Sequence, residues 1–304
     1  MNNKMDQKGI LLESGTNELE IVEFKVGSNK FGINVIKVKE IIQPVSVTTI
    51  PHSHPNVEGI IDIRGEILPV VNVAKALGFG PSDNSREEKF IVTEFNQLKL
   101  VFHVHSVSQI HRISWDKIEK PSEMYQGLES QITGVVKIQD EMILMLDFEK
   151  ILVDINPESG INVEQVKKLG KRERSTKRIV AAEDSPLLRK LLQETLDEAG
   201  FEKVEFFENG QDAFFFLQSI VAEGRAVEDE VQMVITDIEM PKMDGHHLTK
   251  RIKEDQALSI LPVIIFSSLI TNDLRHKGQM VGASAQISKP EINELVQRID
   301  EFIL

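Results

Sequence analysis

Residues 178–200 read RIVAAEDSPLLRKLLQETLDEAG, and the fold of the C-terminal half follows from them. An apolar run over 178–182 ends in two acids, Glu183 and Asp184, and a helix begins at once. Ser185 is suited to cap it and Pro186 fits the first helical position. Leu188, Leu192 and Leu196 then recur every four residues until Gly200 ends the helix. A strand that feeds a helix in this way is the repeating unit of a parallel sheet. The unit recurs, with further strands expected over 203–207, 231–236, 262–267 and 285–287. Helices fill the gaps, and a last one over 291–302 places Leu295, Ile299 and Phe302 on one stripe. This half is predicted to be an α/β, doubly wound (βα)5 domain.

Upstream the periodicity changes. Short alternating runs over 19–26, 31–38, 59–63, 67–71, 90–95, 98–105 and 142–146 predict a mainly-β domain, with short helices over 72–79 and 148–154 closing it. In the first run Val22, Phe24 and Val26 face a core, and Ile21, Glu23 and Lys25 face water. Gly27 to Lys30 reads as a hairpin turn. Between the halves, 161–169 permits a short helix and 167–178 is rich in Lys and Arg without aromatic residues. That run reads as a solvated connector rather than a nucleic-acid site. The expected organisation is a tail over 1–17, a β domain over 18–156, a linker over 157–177 and the α/β domain over 178–304.

The bulk properties agree with two soluble domains. A length of 304 residues at about 150 per domain gives two cores, and 41% apolar and 27% charged residues are ordinary for globular chains. A net charge of −13 disfavours nucleic acid and anionic lipid. The absence of Cys excludes disulfides, thiolate metal sites and cysteine nucleophiles. No secretory signal or long apolar run is visible, so the expected location is cytoplasmic, without membrane insertion.

In an open parallel sheet, ligands sit beyond the carboxyl ends of the strands. Those ends carry Glu183 and Asp184, Asp237, Ser267 and Ser268, and Ser288 with Lys289. Three converging carboxylates repel unless a cation joins them, and Mg²⁺, which prefers oxygen ligands, suits the set. With Asp237 as nucleophile, Lys289 neutralising phosphoryl oxygens and Ser267 donating a hydrogen bond, the chemistry is phosphoryl transfer to an aspartate.

Taken in order, Glu183-Asp184, the run from Asp237 to Gly245 (DIEMPKMDG) and Lys289-Pro290 resemble the motifs of receiver domains of bacterial two-component signalling, over residues 179–304. The resemblance implies a flavodoxin- or CheY-like fold, phosphorylation of Asp237, and a Mg²⁺ site to which Glu239 contributes its backbone carbonyl. Two positions depart from the usual pattern. Ser267 stands where Thr is commoner, and Gln286 stands where receivers hold a switching aromatic residue.

The β half offers no such set. His52 and His54, and His103 and His105, are spaced like ligand pairs, yet they lack acidic partners at zinc spacing and read as ordinary histidines. The run from Pro55 to Asn72, with Arg64-Gly65 between two apolar strands, is similar to CheW-type coupling domains, over about residues 18–156. That family's fold is a double β-barrel. It joins chemoreceptor tips, the methyl-accepting chemotaxis proteins, to the histidine kinase CheA without catalysis of its own. Arg64, at a turn tip, is the candidate interface residue.

A coupling domain followed by a receiver is the arrangement of CheV-type chemotaxis proteins. It implies an adaptor at chemoreceptor arrays, on the inner face of the membrane, whose coupling responds to phosphorylation. The resemblance implies a phosphoacceptor that assists its own modification, not an enzyme with a separate substrate. The alternative use of the same parts is a phosphate sink that drains the kinase. A free-standing phosphatase fits less well, because Asp237 lacks the Asp-x-Asp pattern of haloacid-dehalogenase-like enzymes.

Overall fold

The computed structural model describes residues 17–95, 98–120, 131–157, 160, 161, 166, 173–289 and 291–303. The expected tail ahead of Asn17, most of the expected linker and its candidate helix, and Pro290 lie outside the described residues.

The described residues open with β1 (Glu18–Val26) and β2 (Asn29–Asn34), a hairpin whose turn uses Gly27 at φ +58°. The strand expected over 31–38 is interrupted. The Asn34 side chain accepts the Ile36 N–H at 3.1 Å and starts a single 3-10 turn, Val35–Lys37, before β3 (Val38–Ile42). There follow β4 (Val57–Ile63), β5 (Glu66–Asn72), the one-turn α1 (Val73–Ala76), β6 (Lys89–Phe95), β7 (Leu98–Val104) and β8 (Ser106–Ser114). A 3-10 turn, Trp115–Lys117, leads to β9 (Ile118–Glu119), β10 (Ile132–Ile138), β11 (Glu141–Leu146) and α2 (Phe148–Ile155).

Two sheets result, with strand orders β8-β1-β2-β11-β10-β9 and β3-β6-β7-β5-β4. Their ladders are antiparallel except where β11 meets β2 and β7 meets β5. Each sheet wraps towards closure. Arg64, at the β4–β5 turn, bonds Glu40 of the opposite edge strand β3 at 2.8 Å, and the turn Trp115–Lys117 joins edge strands β8 and β9 directly. This is the expected two-barrel form, with one six-stranded sheet because the two-residue β9 pairs onto β10. Phe24, Phe31, Phe102 and Phe148 fill the space between the barrels, and each barrel adds a core of its own.

That second core overturns one expectation. Ile21 and Glu23 do not face water, because Trp115, Val136 and Met145 pack on their side of β1. Burial would raise the Glu23 pKa, but His111 Nε2 at 2.6 Å and Lys30 Nζ at 3.1 Å hold it below the ordinary value.

The second half runs β12 (Ser175–Ala182), α3 (Pro186–Glu198), β13 (Phe201–Phe207), α4 (Gly210–Ala222), α5 (Val227–Glu230) and β14 (Met233–Thr236). It finishes with α6 (Gly245–Glu254), β15 (Val263–Ser267), α7 (Asn272–Met280), β16 (Ala285–Ser288) and α8 (Ile292–Ile303). All ladders are parallel, in the order β13-β12-β14-β15-β16, and helices cover both faces. Leu188, Leu192 and Leu196 pack with Leu295, Val296 and Ile299 on one face, and Phe214, Leu217, Leu248 and Ile252 pack on the other. Ser185 accepts the Leu188 N–H as cap and Gly200 adopts φ +92°, as the sequence predicts. In α8 the stripe differs. Ile292 and Ile303 complete it, and Phe302 is 39% exposed.

Two consequences of this packing are measurable. The loop after β14 folds back so tightly that a Cβ on Gly245 would lie 1.9 Å from the Asp237 carbonyl oxygen. Gly245→Ala is expected to destabilise the protein by about 2–3 kcal/mol, read as a lower denaturant midpoint. In α6, His246 is buried with Nε2 unpartnered among the described residues, and burial together with the Lys277 charge lowers its pKa from 6.5 to about 3. Between those values the unfolded chain binds a proton that the folded chain refuses, so stability falls as pH drops below 6.5. His246→Phe should flatten this part of the curve of melting temperature against pH; an unchanged slope would refute the assignment.

Candidate functional site

Strand register builds the site. Ala182 pairs with Thr236, so the next residues, Glu183 and Asp237, emerge side by side where the strand order reverses. Ser267 pairs with Ser288, which brings Lys289 to the same rim. One oxygen each from Glu183, Asp184 and Asp237 lies within 4.8 Å of the others. Lys289 Nζ stands 2.8 Å from Glu183 Oε2 and 3.2 Å from Asp237 Oδ2 and is only 1% exposed. The second Asp237 oxygen accepts the Ile238 N–H at 2.6 Å, which fixes the carboxylate plane. Ser267 is buried beside them, its Oγ accepting the Leu269 N–H at 3.3 Å.

The electrostatics are unbalanced. Burial pushes Glu183 up to about 8, with the charges of Asp237 and Glu149 adding to it against the pull of Lys289. Burial also raises Asp184 well above the ordinary carboxyl value, and Glu183, Asp237 and Asp147 push the same way. A carboxylate cluster that resists ionisation for want of positive charge, all oxygen donors and mostly buried, suits a hard divalent cation. The donor set therefore fits Mg²⁺.

The structure also brings in residues that no sequence motif marked, all from the β half. Lys37, in the 3-10 turn, forms an ion pair with the Glu239 side chain, and Asn34 Nδ2 donates to the same carboxylate at 2.8 Å. Burial alone would lower the Lys37 pKa, but the Glu239 and Glu149 charges raise it. At the start of α2, Glu149 Oε2 lies 3.5 Å from Lys289 Nζ, and its other oxygen accepts from the Ser268 hydroxyl. Asp147, which caps α2, accepts from Ser185 Oγ at 2.7 Å. A cavity of about 50 Å³ remains between the halves, lined by Lys37, Asp147, Glu149, Glu183, Asp184 and Asp237 among others.

Arg64 lies elsewhere. It occupies the β4–β5 turn at φ +54° beside Gly65 at +87°, with its side chain 80% exposed. His103, by contrast, has acidic partners, with Nδ1 3.0 Å from Glu58 and Nε2 3.2 Å from Glu88. Gln286 donates through Nε2 to the Arg275 carbonyl at 2.8 Å, and its Oε1 is buried without a partner among the described residues.

Comparison with known proteins agrees with this construction. Residues 20–156 match the CheW-like domain family and residues 179–300 match the response regulator receiver domain family. Chemotaxis protein CheV3 of Helicobacter pylori is 31% identical over 94% of this chain and 95% of its own length. CheV2 of the same organism is 27% identical over 94% and 95%. The solved structure of scaffolding protein TtCheW from Thermoanaerobacter tengcongensis is 29% identical over 42% of this chain and 84% of its own, with a TM-score of 0.40. The chain belongs to the CheV family of chemotaxis proteins, a CheW-like domain joined to a receiver domain.

Proposed function

We propose that the protein couples chemoreceptor cytoplasmic tips to the histidine kinase CheA through its CheW-like half, and that phosphorylation of Asp237 adjusts that coupling. The observation that carries this reading is the mostly buried set of Glu183, Asp184, Asp237 and Lys289 at the strand-order reversal, in one chain with a CheW-like domain. The place of action is the receptor array on the inner face of the membrane. Among the described residues no helix is long and apolar enough to cross that membrane.

Glu183, Asp184 and Asp237 would hold Mg²⁺ with the backbone carbonyl of Glu239. When bound, the ion supplies positive charge to phosphoryl oxygens and offsets the mutual repulsion of the carboxylates. An Asp237 carboxylate oxygen attacks the phosphorus of a phosphohistidine. The P–N bond breaks as the P–O bond forms, the imidazole nitrogen keeps the electron pair, and an acyl phosphate remains on Asp237. Lys289 pairs with one phosphoryl oxygen and the Ser267 hydroxyl donates to another. There is no further substrate to turn over, and Arg64 faces the protein partners.

Asp237→Ala is expected to abolish labelling by acetyl phosphate and by phosphorylated kinase, and chelation of divalent metal should do the same to the wild type. Undiminished labelling of Asp237→Ala would refute the assignment. In pull-downs with receptor fragments and kinase, the wild type should change its binding when phosphorylated and Asp237→Ala should not. Arg64→Ala should weaken capture by about tenfold, the effect of losing one interface arginine, with labelling of Asp237 intact; equal capture would remove Arg64 from the interface.

A further inference from the structure

Glu149 belongs to the β half, yet its carboxylate is buried among receiver groups. One oxygen lies 3.5 Å from Lys289 Nζ and the other accepts from Ser268, so an anion from the coupling half already uses the donors at the rim of the Asp237 pocket. Burial opposes this charge, and Lys289 and Lys37 nonetheless keep the Glu149 carboxyl below its ordinary value.

The contact does not stand alone. Asn34 and Lys37 hold Glu239, and Asp147 holds Ser185. The Trp115 carbonyl accepts the Lys242 N–H at 2.7 Å, and Ile36 packs against the cluster formed by Ile238, Ile265, Leu269 and Leu274. Every loop that frames Asp237 is thus gripped by the coupling half. The cavity left at the acceptor, about 50 Å³, has room for a few waters at about 15 Å³ each.

On the reading that Asp237 is the phosphoacceptor, we propose that Glu149 is a built-in competitor for the phosphoryl group. It holds the coupling half closed over the unmodified receiver, and a phosphoryl group on Asp237 expels it. The physical reason is direct. A phosphoryl group brings close to two negative charges and three acceptor oxygens to Lys289 and its neighbours. Glu149 cannot keep its place at Lys289 beside that group without like-charge repulsion in a buried pocket. Phosphorylation and closure are therefore linked, and weakening either strengthens the other.

The test uses the full chain. Labelling with acetyl phosphate should be about tenfold faster in Glu149→Gln than in wild type, the effect of losing one charge-assisted hydrogen bond from the closed state. Hydrogen exchange should show segments 33–37 and 147–152 losing protection when wild type takes up beryllofluoride with magnesium, and in Glu149→Gln without it. Protection of the β12 and β14 core serves as the check that the variant is folded. Should labelling of Glu149→Gln proceed at the wild-type rate, or should both segments stay protected in the beryllofluoride form, the competition is overturned while the acceptor assignment stands. No labelling of any variant overturns the acceptor assignment, and the competition with it.

Discussion

Everything in the receiver half is arranged around one buried ammonium group. Lys289 Nζ lies within reach of Glu183, Asp237 and Glu149, and without it these acids would face one another in a region of low dielectric. One lysine cannot balance them all, which is why burial and mutual repulsion keep the Glu183 and Asp184 pKa values high. The deficit in positive charge makes the cluster suited to a divalent cation. The parallel register of β12, β14, β15 and β16 exists, from the point of view of function, to deliver these side chains to one rim.

The same pocket joins the halves. The coupling domain contributes Asn34, Lys37, Asp147 and Glu149 from two places in its sequence, and both are end points of regular structure. Asn34 and Lys37 flank a 3-10 turn, and Asp147 and Glu149 sit at the first turn of α2. Helix and turn ends present polar groups in fixed directions, so the contacts are directional as well as charged. Around them Ile36 adds apolar contact with Leu269 and Leu274 in the loop that follows β15 and the helix beyond it.

The receiver was legible because its signals are local and agree with one another. The Ser185 cap, the leucine spacing and Gly200 define α3, and acids at strand ends define the site. The coupling half was harder. The stretch from Phe31 to Val38 looks like one strand, and only the Asn34 side chain bonding to Ile36 breaks it. Ile21 and Glu23 read as a wet face because alternation cannot reveal a second barrel core behind the first. Glu149 carried no signal at all, since an acid in the first turn of a helix is ordinary. Its partners are 119 and 140 positions away in the chain, a pairing that only the tertiary fold creates. Phe302 failed for the opposite reason, because a helical stripe predicts a face and not which neighbour covers its last turn.

The two halves are also tethered, since only residues 156–174 separate α2 from β12. A short covalent connection of this kind gives the partners an effective concentration on the order of millimolar. Contacts too weak to unite free molecules at cellular concentrations would therefore suffice to hold these halves together. A closure of the kind proposed would then be intramolecular, and its extent would not depend on how much protein the cell makes.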